Sequence, residues 1–315
     1  MNQNATDVRF MRRCLQLAAC GRLLSRPNPM VGAVIVHEGR ILGEGYHVRC
    51  GEAHAEVNAF ASVAPDDELL LSKSTIYVSL EPCAHYGKTP PCADLIVKKG
   101  VKRVVVGCQD PFAEVQGRGI AKLRQTCIDV TVGVLEEECR WLNRRFFTFH
   151  SLHRPYIILK WAQSADGFLD DHGRAYAFST PFTQMLVHRL RAREDAIVVG
   201  RVTDEREHPQ LTVRRWAGPS PARFVLGNGY GIEQLLADCR ERQLQSLIVE
   251  GGAQTLQSFI DRRLFDEVRI EKSPAVVAGG TKAPVLPSGL RLIKRQAVDG
   301  NEIIRLIQDS RIIVE

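Results

Sequence analysis

No apolar run in this 315-residue chain approaches the ~18 residues that a membrane-spanning helix needs. The opening segment, MNQNATDVRFMRRC, lacks the apolar stretch and small-residue cleavage site of a secretion signal. These two absences point to a cytoplasmic protein. There is no internal repeat, no low-complexity tract and no concentrated basic stretch. The formal charge of +6 is spread evenly, with 19 Lys+Arg against 16 Asp+Glu up to residue 150 and 23 against 20 beyond it. A nucleic-acid binder concentrates its cations on one face or element, so nucleic acid is not an expected partner, and the modest excess suits a small phosphorylated anion. Cysteine is scarce after residue 139, where only Cys239 occurs. The other eight are Cys14, Cys20, Cys50, Cys83, Cys92, Cys108, Cys127 and Cys139. An odd count without a secretion signal argues against a disulfide framework. The default role of each is a small buried hydrophobe.

What is present is an ordinary globular composition, 44% hydrophobic and 25% charged, over a length that suggests two domains. Apolar residues at three- and four-residue steps predict a helix over about 7–24. Strands are expected at Val31–Val36 and Ile41–Tyr46, joined by the turn at 37–40. A helix at 53–63, a strand at Thr75–Leu80, a helix at 93–99 stopped by Gly100, and strands at 103–107 and 128–132 around a helix at 120–126 follow. A single helix is expected at 136–149, with acidic residues in its first turn. The segment 150–155 looks like a linker, giving domains 1–150 and 151–315. In the second, strands at 156–161, 196–200, 223–226, 247–250 and 267–272 alternate with helices at 181–193, 232–242 and 255–262. Short β-like segments end the chain at 302–307 and 311–314. Both halves read as α/β layers.

One cluster carries chemistry. His54-Ala55-Glu56 opens a predicted helix, and Glu81-Pro82-Cys83 is followed after eight residues by Cys92. One imidazole and two thiolates suit Zn²⁺, with a fourth position left for water, whose pKa the metal lowers towards ~7. Glu56 is placed to move protons without being a ligand. Pro82 also suggests that Cys83 starts a helix, with its thiolate at the positive end of a dipole. Singly these signals are weak, because His-x-Glu is common and two cysteines eight apart are usually packing residues. Their order gives them weight.

These residues, with Pro27-Asn28-Pro29-Met30-Val31-Gly32, Gly45-Tyr46-His47 and the run from Cys83 through His85, Lys88 and Thr89 to Cys92, resemble the bifunctional riboflavin-biosynthesis deaminase/reductase family. The resemblance implies a cytidine-deaminase-like three-layer α/β/α domain followed by a dihydrofolate-reductase-like α/β domain. It implies that His54, Cys83 and Cys92 bind Zn²⁺, that Glu56 is catalytic, and that Asn28, His47, His85 and Lys88 hold the pyrimidine and its ribose phosphate. Asp110 and Gly117 are expected to support the site mouth. Deaminases acting on nucleosides, tRNA and nucleic acids share a Pro-Cys-x-x-Cys pair instead. The wider Cys83–Cys92 spacing and the second domain argue against that alternative.

The second half continues the resemblance through Leu159-Lys160-Trp161, Asp195 to Gly200, Leu211-Thr212-Val213-Arg214 and Glu250-Gly251-Gly252. It implies NADPH as cofactor. Arg191, Leu211, Arg214 and Glu250 are then expected on the substrate, and Lys160, Gln163, Thr203, Glu207, Gly252, Ala253, Gln254 and Thr255 at the cofactor. Lys160 on a central strand independently calls for an anionic partner. Three features depart from the family. Glu207-His208-Pro209 stands for Asp-Asp-Pro, and Ala177-Phe178-Ser179 stands for Trp-Ile-Thr. The chain also passes from Leu226 almost directly to the helix at Ile232, where several tens of residues are usual. The expected activity is deamination of 2,5-diamino-6-ribosylamino-4(3H)-pyrimidinone 5′-phosphate followed by NADPH-dependent reduction of the ribosyl group. The alternative is a monofunctional deaminase whose second domain serves dimerisation or substrate holding. The resemblance also implies a homodimer or higher homo-oligomer.

Overall fold

A computed structural model of the chain describes residues 3–84, 90–112 and 116–308. The chain divides into two compact units, Met1–Leu152 and His153–Glu315. The first contains α1 (Gln3–Cys20), β1 (Gly32–His37), β2 (Arg40–Tyr46), α2 (Ala55–Ala61), a 3-10 helix (Pro65–Lys73), β3 (Thr75–Leu80), α3 (Cys92–Lys99), β4 (Arg103–Cys108), α4 (Arg118–Gln125), β5 (Asp129–Val132), α5 (Glu136–Leu142) and α6 (Arg144–Leu152). The strands form one sheet in the order β2-β1-β3-β4-β5. β1 runs antiparallel to β2 and β3, while β3, β4 and β5 are parallel.

Strands buried on both faces read as continuous apolar runs. The two-residue period sorts their side chains. Ala33, Ile35, Ile76, Val78, Val104 and Val106 enter one core with residues of α2, α3 and α4. Val34, Val36, Tyr77 and Val105 enter another with residues of α1, α5 and α6. This is the three-layer α/β/α arrangement expected. Two-residue turns with positive φ at Glu38 and Gly39 close the β1–β2 hairpin. Gly45 lets α2 lie directly on β2, since a Cβ there would come within 2.3 Å of the Ala59 nitrogen.

The second unit contains β6 (Tyr156–Gln163), α7 (Pro181–Arg191), β7 (Ala196–Gly200), α8 (Arg201–Glu207), β8 (Ala222–Leu226), α9 (Ile232–Glu241), β9 (Ser246–Val249), α10 (Ala253–Asp261), β10 (Glu267–Lys272), β11 (Leu290–Val298) and β12 (Asn301–Gln308). Its sheet has the order β11-β12-β10-β6-β9-β7-β8. β10, β6, β9, β7 and β8 are parallel, and β12 and β11 form an antiparallel hairpin at the edge. Ile157, Leu159 and Trp161 of β6 pack towards residues of α9 and α10, which turns Lys160 to the opposite face. β8 ends the sheet on the other side. Beyond it, Tyr230 stacks on Phe224 with ring centroids 6.4 Å apart, and its hydroxyl donates to Asp238 at 2.6 Å.

Several expectations are corrected. The helix at 136–149 is two helices that break at Asn143. The Asn143 amide donates to the Met30 carbonyl and accepts from the Met30 N–H, both at 2.8 Å. The segment taken as a linker is helical through Leu152. Cys83 starts no helix: it follows β3 in an irregular segment, and it is Cys92 that opens α3. The 3-10 helix and α8 were not expected at all. Cys14, Cys108, Cys139 and Cys239 are buried, but Cys20, Cys50 and Cys127 are exposed and do not fit the buried-hydrophobe default. The expected β-like segment at 311–314 lies outside the described residues. No described helix is long and apolar enough to cross a membrane.

Candidate functional site

Three elements converge in the first unit. His54 is the residue before α2, held extended at φ −72° and ψ 165°. Glu56, in the first turn of α2, is 3% exposed. Cys83 lies just beyond β3, and Cys92 is the first residue of α3. His54 Nδ1 sits 3.6 Å from Cys83 Sγ and 3.3 Å from Cys92 Sγ. All three ligand atoms fall within 4.8 Å of one another. A tetrahedral zinc ion with bonds of about 2.0–2.3 Å holds such atoms about 3.6–3.8 Å apart. Spacing and donor chemistry therefore both fit the metal.

The electrostatics agree. The Cys92 N–H donates to Cys83 Sγ at 3.3 Å, which places this sulfur, not that of Cys92, at the amino end of α3. The Cys92 thiol and this amide bring Cys83 down to about 4 against the opposing effect of burial, and His54 assists. Cys92 is pushed up because its proton is the one shared with Cys83 and because it is buried. With a metal bound, both sulfurs would be held as thiolates and that shared proton would be released. His54 is raised, chiefly by Cys83. Burial, with the Cys83 thiolate assisting, pushes the Glu56 carboxyl up to about 7.

Asn28 and His47 meet beside this cluster. The Asn28 amide nitrogen lies 3.2 Å from His47 Nε2, and His47 Nδ1 lies 3.1 Å from the Ala53 carbonyl. A carbonyl only accepts, so Nδ1 carries the proton and Nε2 accepts from Asn28. Burial pushes His47 down, favouring this neutral form. The His47 and His54 rings stand edge to face, 5.4 Å between centroids. Expected substrate residues His85 and Lys88 lie outside the described residues. Asp110 and Gly117 both donate their N–H groups to Glu81 Oε2, at 3.3 and 3.0 Å. Glu81 and Asn143 are the residues that sequence reasoning missed. Glu81 was in view within Glu-Pro-Cys, whereas nothing local to Asn143 signals its tie to Met30.

In the second unit, Arg191 at the end of α7 makes a two-pronged ion pair with Glu250 just after β9, at 2.7 and 3.2 Å. Their side chains are only 12% and 8% exposed. Burial alone would raise the Glu250 carboxyl, but Lys160 and Arg191 outweigh it and the group ends below its ordinary value. Burial pushes Lys160 down while Glu250 opposes the shift. Glu250 is thus the anion whose charge acts most on Lys160. Arg214 joins through Thr212, whose hydroxyl it contacts at 2.9 Å and whose carbonyl Arg191 contacts at 3.4 Å. The Arg214 N–H donates to His188 at 2.9 Å, and Leu211 is buried nearby in sequence with φ 55°.

The Thr203 hydroxyl accepts from the Gly252 N–H at 3.1 Å, tying α8 to the amino end of α10. Thr255 lies against Gly200, where a Cβ would come within 2.3 Å of its hydroxyl oxygen. The first-turn N–H groups of α10, including those of Ala253 and Gln254, have no partner within the helix. Such an end suits a cofactor phosphate. Gln163, at the end of β6, accepts from the Trp161 indole at 2.7 Å instead. Glu207 is exposed at the last residue of α8.

Comparison with known proteins identifies both units. The family model for the cytidine and deoxycytidylate deaminase zinc-binding region matches residues 4–108. That for the RibD C-terminal domain matches residues 155–231 and 230–308, so the match breaks between β8 and α9. The riboflavin biosynthesis protein RibD of Aquifex aeolicus is 35% identical over 319 residues, covering 87% of this chain and 88% of that protein. RibD of Actinobacillus pleuropneumoniae is 32% identical, covering 91% and 89%. The solved diaminohydroxyphosphoribosylaminopyrimidine deaminase/5-amino-6-(5-phosphoribosylamino)uracil reductase of Thermotoga maritima superimposes with a TM-score of 0.88 at 31% identity, over 98% of this chain and 100% of that one. Acinetobacter baumannii RibD follows at 0.83 and 29%, over 97% and 99%. With these relatives spanning both units, and with a zinc-type triad in one unit and a dihydrofolate-reductase-like sheet in the other, the chain belongs to the RibD family of bifunctional riboflavin-biosynthesis deaminase/reductases.

Proposed function

We propose that the chain carries out two consecutive steps on one phosphorylated pyrimidine. Residues 1–150 form the deaminase domain, which removes an amino group from 2,5-diamino-6-ribosylamino-4(3H)-pyrimidinone 5′-phosphate. Residues 151–315 form the reductase domain, shortened after Leu226, which converts the ribosyl group to ribityl and gives 5-amino-6-ribitylaminouracil 5′-phosphate. The observation that carries this reading is the convergence of His54, Cys83 and Cys92 around Glu56 in a chain whose second unit holds the buried Arg191–Glu250 pair.

Zinc, when bound, is a Lewis acid that lets water ionise near neutral pH. His54, Cys83 and Cys92 hold it. Glu56 takes up the proton of the attacking water at its carboxylate oxygen and delivers it to the ring nitrogen, and the same carboxylate then carries the proton of the newly added hydroxyl to the departing amine, so that ammonia leaves as the carbonyl forms. His47, kept neutral by burial, and Asn28 orient the pyrimidine, and His85 and Lys88 hold its ribose phosphate. NADPH, when bound, supplies the hydride for the second step. The amino end of α10 with Thr203, Gly252, Ala253, Gln254 and Thr255 binds its phosphates, Gln163 and Glu207 contact other parts of the cofactor, and Lys160 faces the reacting end. Arg191, Leu211, Arg214 and Glu250 hold the substrate.

A second unit kept only for dimerisation or substrate holding is not favoured, because full-length bifunctional relatives match the chain on both sides of the shortened region. The same relatives disfavour a nucleoside or tRNA deaminase. The protein acts in the cytoplasm as a homodimer or higher homo-oligomer. Size measurement by light scattering tests the last point, with a monomer contradicting it. Purified protein given the deaminated intermediate and NADPH tests the reductase. Loss of nicotinamide absorbance is expected, and its absence while deamination proceeds overturns that half of the reading.

A further inference from the structure

Glu81 is a buried carboxylate, 4% exposed, two residues before the zinc ligand Cys83. Its ordinary fate in an apolar setting is an ion pair, yet it accepts from four backbone N–H groups. Oε2 accepts from Asp110 and Gly117, and Oε1 accepts from Gly119 and Ile120 at 3.0 and 3.2 Å. Its own N–H donates to the Cys108 carbonyl at 3.0 Å, continuing the β3–β4 pairing one step past the strand. The contact is reinforced on the next residue. Gly119 lies so close to Pro82 that a Cβ would come within 1.9 Å of the Pro82 carbonyl oxygen. Glu81-Pro82-Cys83 is otherwise irregular; beyond this clamp, Cys83 is tied to the start of α3, where the Ala93 N–H donates to its carbonyl at 3.1 Å and the Cys92 N–H to its sulfur.

The two other ligands are set by regular elements, His54 at the start of α2 and Cys92 at the start of α3. Cys83 belongs to no helix or strand, so the backbone that leads into it is held by this clamp. We propose that Glu81 is a positioning residue for Cys83. Its carboxylate locks the Pro82-Cys83 segment to the amino end of α4 and to the backbone at Asp110 and Gly117, and so fixes the sulfur at zinc-binding distance from His54 and Cys92. This rests on the zinc-deaminase reading of the same site.

The test uses the full zinc-loaded chain and its Glu81→Gln variant, which keeps the side-chain length but turns an NH₂ group towards two of the four donors. Transfer of zinc to excess chelator should be about tenfold to a hundredfold faster in E81Q. The thiolate-to-metal absorption of the cobalt-substituted form should shift, and deaminase kcat should fall. Reduction of the deaminated intermediate by the second unit should be unchanged, which separates a local effect from general unfolding. Wild-type protein supplies an independent check if the variant folds poorly: zinc should slow amide exchange at Gly117, Gly119 and Ile120. Unchanged zinc release and cobalt spectrum in E81Q, or exchange at these amides indifferent to zinc, overturns the assignment. A wild-type chain that takes up no zinc overturns the zinc site itself.

Discussion

At the scale of single residues, the chemistry depends on which groups are withdrawn from water and which partners they meet there. Glu56 is buried beside two sulfurs, where burial outweighs the opposing charge of His54, a setting in which a carboxyl holds and releases a proton near neutrality. Glu56→Gln preserves its size and should lower ammonia release by about 10²–10⁴-fold. Zinc content by elemental analysis should be unchanged, and deamination persisting at the wild-type rate contradicts the role. Glu250 is the opposite case, because Lys160 and Arg191 hold it below its ordinary value. Its contribution to the second unit is complete above the unfolded carboxylate value of about 4.3 and fades as pH falls through the lower folded value. Glu250→Gln takes from Arg191 its carboxylate partner and from Lys160 the anion that acts on it most, and should cost about 3 kcal/mol at neutral pH. It should also flatten the acid limb of the stability curve. Urea titrations at a series of pH values check both effects, and parallel acid limbs in variant and wild type contradict the assignment.

At the scale of elements, the site residues lie where regular structure begins or ends. His54 and Cys92 open helices, Cys83 follows a strand, Arg191 closes a helix and Glu250 follows a strand. The strands were legible because apolar runs such as Ala33–Val36 and Val104–Val106 fit only a sheet covered on both faces. The metal ligands were legible from residue type and order. The helix start was not, because Pro-Cys occurs twice, at 82–83 and 91–92. Only the second is followed by a periodic run, Ala93 to Lys99, that can bury Ala93 and Ile96. α8 has no buried residue and hence no periodicity to read. The β11–β12 hairpin had a signal, the Asp299-Gly300 turn with both φ angles positive, that went unused. The break at Asn143 was invisible because its cause is a contact 113 residues away in sequence. That contact braces the segment carrying Asn28. Asn143→Ala should therefore destabilise the first unit by about 1–3 kcal/mol through two unpaired backbone groups. It should also raise the deaminase KM more than it lowers kcat, and steady-state kinetics showing an unaltered KM contradict the bracing role.

At the scale of the whole molecule, two units of similar size each carry a formal +3 up to and beyond residue 150, and each presents cationic or imidazole groups suited to one phosphorylated substrate. β8 passes directly to α9 at the point where the family match breaks. β8 is left as the edge of its sheet, and Tyr230 closes over Phe224 there. The cofactor residues proposed on α8 and α10 all lie outside that region, so the helix end proposed to hold the cofactor phosphates is not part of it. Removing zinc with a chelator should abolish ammonia release and leave the second reaction intact.

The central claim is that one short chain still performs both steps. It is tested most directly by giving the zinc-loaded protein the diaminopyrimidine ribosylamine phosphate and NADPH and following ammonia and nicotinamide absorbance together. Ammonia release and NADPH oxidation in equal amounts, with oxidation persisting on deaminated intermediate after chelation, is the result expected. Ammonia release without any NADPH oxidation contradicts it.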